Sequence, residues 1–322
     1  MQGRGVISPR LHRPGSSGVL CALLVLGTGC STVKRTAVNQ LGDALASGGS
    51  VYASDDDPEL IRAAAPFSLK LMESLLAESP QHRGLLLAAA SGFTQYGYAF
   101  VQQDADQWES TDLDAADRAR DRARRLFLRA RDYGLRGLEV SQAGFTLALR
   151  DAPTAAVRAC RVEDVPFLYW TAAAWAAAIA VKKDRPDLIA QLPQVEALLD
   201  RALELDETFA QGALHTLMIS YEMARQGGAG NPEDRALQHF KRAVELGPNT
   251  AAPYVTLAES VCVQKQDRAR FEELLRQALA VDADAYPETR LVTLILQRRA
   301  RWLLERVDEL FLPPEPSSKT TS

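Results

Sequence analysis

The sequence predicts an all-α protein built of stacked helical hairpins, about a dozen helices in all. Three observations carry that expectation. From Pro58 onward, apolar residues recur at three- and four-residue spacings, and no alternating strand pattern interrupts them. Alanine and leucine dominate the 47 % hydrophobic content while aromatics make up only 7 %, a composition suited to close helix packing. Finally, LLDRALELD (198–206), HFKRAVELG (239–247) and LLRQALAVD (274–282) align as one helix end, spaced by 41 and 35 residues. That is near the ~34-residue period of tetratricopeptide repeats, whose stacked hairpins bury a continuous core and leave a concave binding surface. LMESLLAESP (71–80) and LFLRARDYG (126–134) are looser copies, and pairs such as Ala202/Leu205 and Ala243/Leu246 would seat one hairpin on the next.

The first thirty residues have another character. Arg4, Arg10 and Arg13 precede the apolar stretch GVLCALLVLGTG, which ends at Cys30. This is a secretory signal over residues 1–29, and the cysteine after LGTG points to cleavage ahead of Cys30 and diacylation of its sulfur. Gly27 stands where a lipobox usually has leucine, with Leu26 one position upstream; the alternative is an ordinary signal with a chance cysteine. Removing 1–29 takes away three arginines and no acid, leaving 34 Lys+Arg against 41 Asp+Glu, a net charge of −7. An acidic chain of this kind lacks the basic face a nucleic-acid binder needs. An acyl anchor would attach the protein to a bilayer surface without a spanning helix.

Residues 30–53 form a tether with a short helical pattern at Val33, Ala37, Leu41 and Leu45. SDDDPEL then opens the helical-repeat domain, 54–312, with Asp57 as N-cap and Pro58 at the first helical position. Breaks are expected at 79–81, around Asp104–Asp112, at Tyr133-Gly134, and at 151–153, 183–186, 226–232, 246–249 and 281–287. The tail 313–322, PPEPSSKTTS, is expected to be disordered.

No catalytic constellation is present: HExxH, GxSxG, a P-loop and a calcium-loop ladder are all missing. Neither a metal nor a cofactor is expected. His12, His82, His215 and His239 are isolated in sequence, and a hydrolase would need an acid/base pair that sequence alone does not reveal. Asp55–Asp57 reads as a helix start that places negative charge at the positive end of the dipole, in preference to a cation site. Cys160 and Cys262 read as two buried thiols rather than a disulfide. In DLDAADRARDRARRLFLRARDYG, pairs such as Asp114–Arg118 and Asp121–Arg125 suit a solvated helix face.

The aromatic stretches are the candidates for binding. FTQYGYAF (93–100) supplies Phe93, Tyr96 and Phe100; VPFLYWTAAAWAAAIAV (165–181) supplies Phe167, Tyr169, Trp170 and Trp175. The second stretch has seventeen uncharged residues, seven of them alanine, and a proline second in line. It falls short of the roughly twenty strongly apolar residues of a membrane span and reads as a helix surrounded by others. Its rings fit either plain core packing or the lining of an apolar pocket.

Taken in order, DDDPELIRAAAPFSLKLMESLLAESP, QYGYAFVQQDAD, VPFLYWTAAAWAAAIAV and HFKRAVELG…APYVTLAESVCVQKQDRARFEELLRQALAVD resemble the T-component (TatT) family associated with TRAP transporters, from about Ser54 to Asp282. The resemblance implies a non-catalytic periplasmic lipoprotein of tetratricopeptide-like hairpins, assembled as a homotrimer. It implies association with a solute-binding P-component and an apolar cavity or channel for a hydrophobic organic anion or lipid-like molecule. Ser31 after the cysteine points to the outer membrane. The other reading is a purely structural adaptor for envelope protein assembly, without a ligand.

Overall fold

The computed structural model describes residues 2–3, 38–47, 49–182, 185–225 and 227–313. The expected signal segment, Cys30 and residues 314–322 of the tail lie outside the described residues. Every regular element among the described residues is helical.

Helix α1 (Pro58–Glu78) begins as its sequence predicts, with Asp57 accepting from the backbone N–H groups of Glu59 and Leu60 at 3.0 Å each. Asp55 in turn accepts from Asp57 N–H at 2.8 Å, so the acidic run serves the helix start. After a turn capped by His82, α2 (Arg83–Tyr96) passes without interruption through a π-helical turn (Gly97–Gln102) into α3 (Gln103–Trp108). Gly97 is required there, because a Cβ would lie 2.8 Å from the Phe127 ring.

Asp112 caps α4 (Leu113–Ser141) by accepting from Ala115 N–H at 2.9 Å. The break expected at Tyr133-Gly134 does not occur, and LFLRARDYG lies inside α4 instead of ending a helix. Gly134 is there for close approach: a Cβ would meet Thr171 Oγ1 at 2.1 Å, and one on Gly137 would meet Phe167 Cε1 at 1.9 Å. The true stop is at 142–144, where Gly144 takes φ 81°, the left-handed region glycine tolerates.

The remaining principal helices are α5 (Phe145–Asp151), α6 (Val165–Ala180), α7 (Leu192–Leu205), α8 (Phe209–Ala224), α9 (Pro232–Leu246), α10 (Ala252–Leu257), α11 (Arg268–Ala280) and α12 (Arg290–Glu305). A second π-helical turn, Ala258–Cys262, extends α10. The segments aligned by sequence end α7, α9 and α11, with Ala202, Ala243 and Ala278 fully buried.

Packing follows the chain: α1 lies on α2, α2 on α4, α4 on α6, α6 on α7, α8 on α9, and α10 on α11, with α11 on α12. Helix α6 is the centre of the larger core, its Phe167, Leu168, Ala172, Ala174 and Trp175 buried among α2, α4 and α7. Each large apolar side chain so buried contributes about 1.5–3 kcal/mol. No described helix is long and apolar enough to cross a membrane.

The array then returns on itself. Ile295 of α12 packs with Ile61, Ala99 and Phe100, and Arg298 reaches Glu59 at 2.9 Å and the Ala99 carbonyl at 3.1 Å. Arg290 donates to the Ser54 carbonyl at 3.2 Å. Helix α12 thus joins α1–α3 across about two hundred residues of sequence, along a seam held mostly by arginines. Cys160 and Cys262 are both free and buried, and burial raises the thiol pKa of each, that of Cys262 to about 11.

Candidate functional site

Of the seven aromatic residues singled out by sequence, Trp175 lines a cleft. The cleft, about 590 Å³, is walled by Leu135 of α4, Leu147 and Leu149 of α5, and the Trp175 ring of α6. Gln191 and Gln194, at the start of α7, face it. Trp175 is only 7 % exposed, and its indole N–H donates to Gln191 Oε1 at 2.9 Å. Gln191 is itself held by its own amide donating to the Asp187 carbonyl at 2.8 Å. The Arg131 guanidinium lies 4.9 Å over the indole.

The cleft exists because of the Gly144 turn, which swings α5 off the end of α4. Glu139 fixes that turn by accepting from the backbone N–H groups of Gly144 and, at 2.9 Å, Thr146. Those bonds, Thr146 first, hold the Glu139 carboxyl below its ordinary pKa. Gln194 donates to the Arg150 carbonyl at 3.4 Å, while its Oε1 is buried without a partner among the described residues. An apolar body with a few fixed polar groups at one edge is the common make-up of a small-molecule site.

The other six residues are placed elsewhere. Phe93 is buried, stacked on Tyr133 at 6.0 Å, with Arg129 at 5.3 Å from its face. Tyr96 is half-buried against Phe100, at 5.6 Å, and Arg122 reaches its hydroxyl at 3.5 Å. Phe100 is buried in the seam, with Arg62 and Arg298 lying 5.0 and 5.9 Å from its ring. Phe167 is buried on Gly137 under Arg83. Tyr169 sits between Trp170 (4.9 Å) and Phe209 (5.3 Å), and burial pushes its hydroxyl up to about 12. The structure thus brings Tyr169 and Trp170 together, and Tyr96 with Phe100.

Two polar centres escaped the sequence reading. In the first, Arg299 of α12 is clasped by Asp106 (2.9 Å) and Glu259 (2.6 Å) and lies 4.4 Å over the Trp302 ring. Glu259 belongs to the second π-helical turn, and Asp106 follows the first through α3. Burial raises the Asp106 pKa, whereas for Arg299 burial is outweighed by Glu259, Tyr98 and Asp106 and the net shift is upward. Gln103, 1 % exposed beside them in α3, has neither amide atom hydrogen-bonded among the described residues. Extra residues in helices are common near functional sites, but periodicity in one chain cannot reveal a π turn.

In the second, His215 and His239, isolated in sequence, meet across α8 and α9. Helix α8 enters through a left-handed turn, with Ala210 at φ 47°, Gln211 at 56° and Gly212 at 82°. His82 also has partners: it caps α2 by accepting from Leu85 N–H at 3.2 Å and faces Asp43 at 3.2 Å.

Residues 54–311 match the TRAP transporter T-component (TAtT) family. An uncharacterized protein of Treponema pallidum (strain Nichols) is 30 % identical over 269 residues, covering 81 % of this chain and 83 % of that one. The family match spans all the helices that build the cleft and the seam. The chain belongs to the TRAP transporter T-component family, an accessory component of that class of transporter.

Proposed function

We propose that this protein is a non-catalytic periplasmic lipoprotein, anchored through Cys30 to the outer membrane. It associates with a TRAP-type solute-binding P-component and binds or passes a hydrophobic ligand. The observation that carries the ligand half of this reading is the cleft at Trp175, with its leucine walls and its polar edge at Gln191 and Gln194. Binding there needs no covalent chemistry: a ligand's apolar body gains about 25 cal/mol per Å² removed from water, and its polar end meets an amide.

Leu147→Glu tests the ligand reading. The side chain is 56 % exposed, so the change places a charge in the cleft with little effect on the fold. Mass spectrometry of extracted protein should find a hydrophobic molecule with the native chain and not with the variant. Equal amounts in both would reject the cleft as the site. The P-component reading is tested by pull-down with the organism's own solute-binding protein; no retention at micromolar concentrations would count against it.

The second reading is a structural adaptor without a ligand. It is favoured by Phe93, Phe100 and Phe167, each buried against other side chains and an arginine. It predicts that the extracted protein carries no specific small molecule.

A further inference from the structure

The interleaved charges of α4 separate in space. Asp117 pairs with Arg120 at 3.6 Å and Lys182 at 3.8 Å, and Asp121 with Arg124 at 3.9 Å and Lys182 at 3.8 Å. The expected pairs Asp114–Arg118 and Asp121–Arg125 do not form among the described residues; Asp121 instead meets Arg124 and Lys182, which arrives from the end of α6. Arg118, Arg122, Arg125, Arg129 and Arg136 are all exposed and fall within a narrow arc opposite the buried face of Ala116, Ala123, Phe127 and Ala130. At 1.5 Å per residue the row is about 27 Å long.

Among the described residues, Arg118, Arg122 and Arg125 have no carboxylate partner. Arg129 shares Glu73, at 3.6 Å, with Lys70 and Tyr133, and Arg136 donates to the Pro80 carbonyl at 3.0 Å. Asp132, the acid in the row, is bound by Arg131 at 2.7 Å. A shallow groove of about 350 Å³ runs between Arg125, Arg129 and Arg136, floored by Leu128 and Tyr133. The whole chain carries a net charge of −4, so this row is a local reversal of sign.

We propose that the row docks an acidic helix of a protein partner, whose carboxylates, spaced three and four residues apart, meet successive guanidiniums. Planar guanidinium forks pair bidentately with carboxylates, and two helices laid side by side match at that spacing. A bilayer fits less well: a flat anionic surface on the row would also press on the exposed Asp114 and Asp117 along its flank. A small anion in the groove would engage three of the five arginines. This inference is independent of the cleft and of the identity of the transporter partner.

The test uses a fluorescent helical peptide of about 20 residues with glutamates aligned on one face, a scrambled peptide of the same composition, and phosphatidylglycerol vesicles. The full chain is compared with Arg118→Gln/Arg122→Gln/Arg125→Gln, whose thermal unfolding should be unchanged. Expected are binding of the aligned peptide about tenfold tighter than the scrambled one, and about tenfold weaker binding by the triple variant with a reduced salt dependence. Equal binding of both peptides, or no loss in the variant, would overturn the proposal. So would loss of vesicle binding with peptide binding intact, which would assign the row to a membrane surface.

Discussion

His215 Nδ1 and His239 Nδ1 lie 2.8 Å apart, a distance at which one Nδ1 carries no proton and accepts from the N–H of the other, so the accepting ring is neutral. His215 Nε2 also faces Glu207 at 3.2 Å, and Glu207 pairs with Arg242. Burial first, and then the charge of His215, lower the His239 pKa from 6.5 to about 4; burial also lowers that of His215. Glu245 and Arg242 act on His215, and Glu222, Arg225 and Arg235 on His239.

A pH prediction follows from the sign of that shift. The unfolded chain binds the His239 proton near pH 6.5 and the native chain near 4, so stability is full above 6.5 and falls as pH drops towards 4. The loss from this group is about 1–2 kcal/mol, allowing for partial exposure. Urea unfolding across that range should show a steeper slope for the native chain than for His239→Gln. Equal slopes would remove the histidine pair from the account.

Gly137 within α4 and Gly144 just after it give a packing prediction. Gly137→Ala forces a methyl group to within 1.9 Å of the Phe167 ring in the centre of the core, and should cost about 2–4 kcal/mol in chemical denaturation. Gly144→Ala meets no atom within 4 Å and is penalised only by φ 81°, about 1 kcal/mol. The first substitution should therefore be much the worse, although it is Gly144 that makes the turn beside the cleft.

Arg299→Leu should destabilise by about 3–5 kcal/mol, because it leaves Asp106 and Glu259 facing each other with their cation gone. Hydrogen exchange should rise in both π-helical turns and in α12, since the seam between distant parts of the chain depends on that cation. Acidification should relieve part of the loss by protonating Asp106, whose pKa burial already raises. Exchange confined to α12 would contradict the coupling.

For the cleft, Gln191→Leu removes the acceptor of the Trp175 indole N–H, leaving a donor that is almost fully buried. A cost of about 1–2 kcal/mol and a shifted tryptophan emission are expected. An unchanged spectrum would mean that the indole is not held as described.

Much of the helical order was legible in the chain. The Asp57 cap and Pro58 start, the burial of 165–181, and the helix ends after Leu205 and Leu246 follow from capping chemistry and apolar spacing, which act over a few residues. Gly134 misled, since a glycine that ends a helix and a glycine that admits a neighbouring helix look the same in one dimension. The cleft was half legible. Trp175 stood out as a large ring in an alanine-rich helix, whereas Gln191, Gln194 and Leu147 are ordinary residues until the Gly144 turn brings α5 and α7 to the same side.

What the sequence by itself determined is local: helix, cap, buried face, and the family to which these segments in this order belong. Which arginine meets which acid, whether two histidines far apart in the chain share a proton, and where α12 closes on α1 were decided by tertiary structure. The reason is physical. Helix and burial depend on residues one or two turns apart, but the partner of a long, flexible charged side chain depends on which other helix arrives beside it. Lys182, just past the end of α6, arriving beside Asp117 and Asp121 as these acids also meet Arg120 and Arg124 of α4, is that decision made visible.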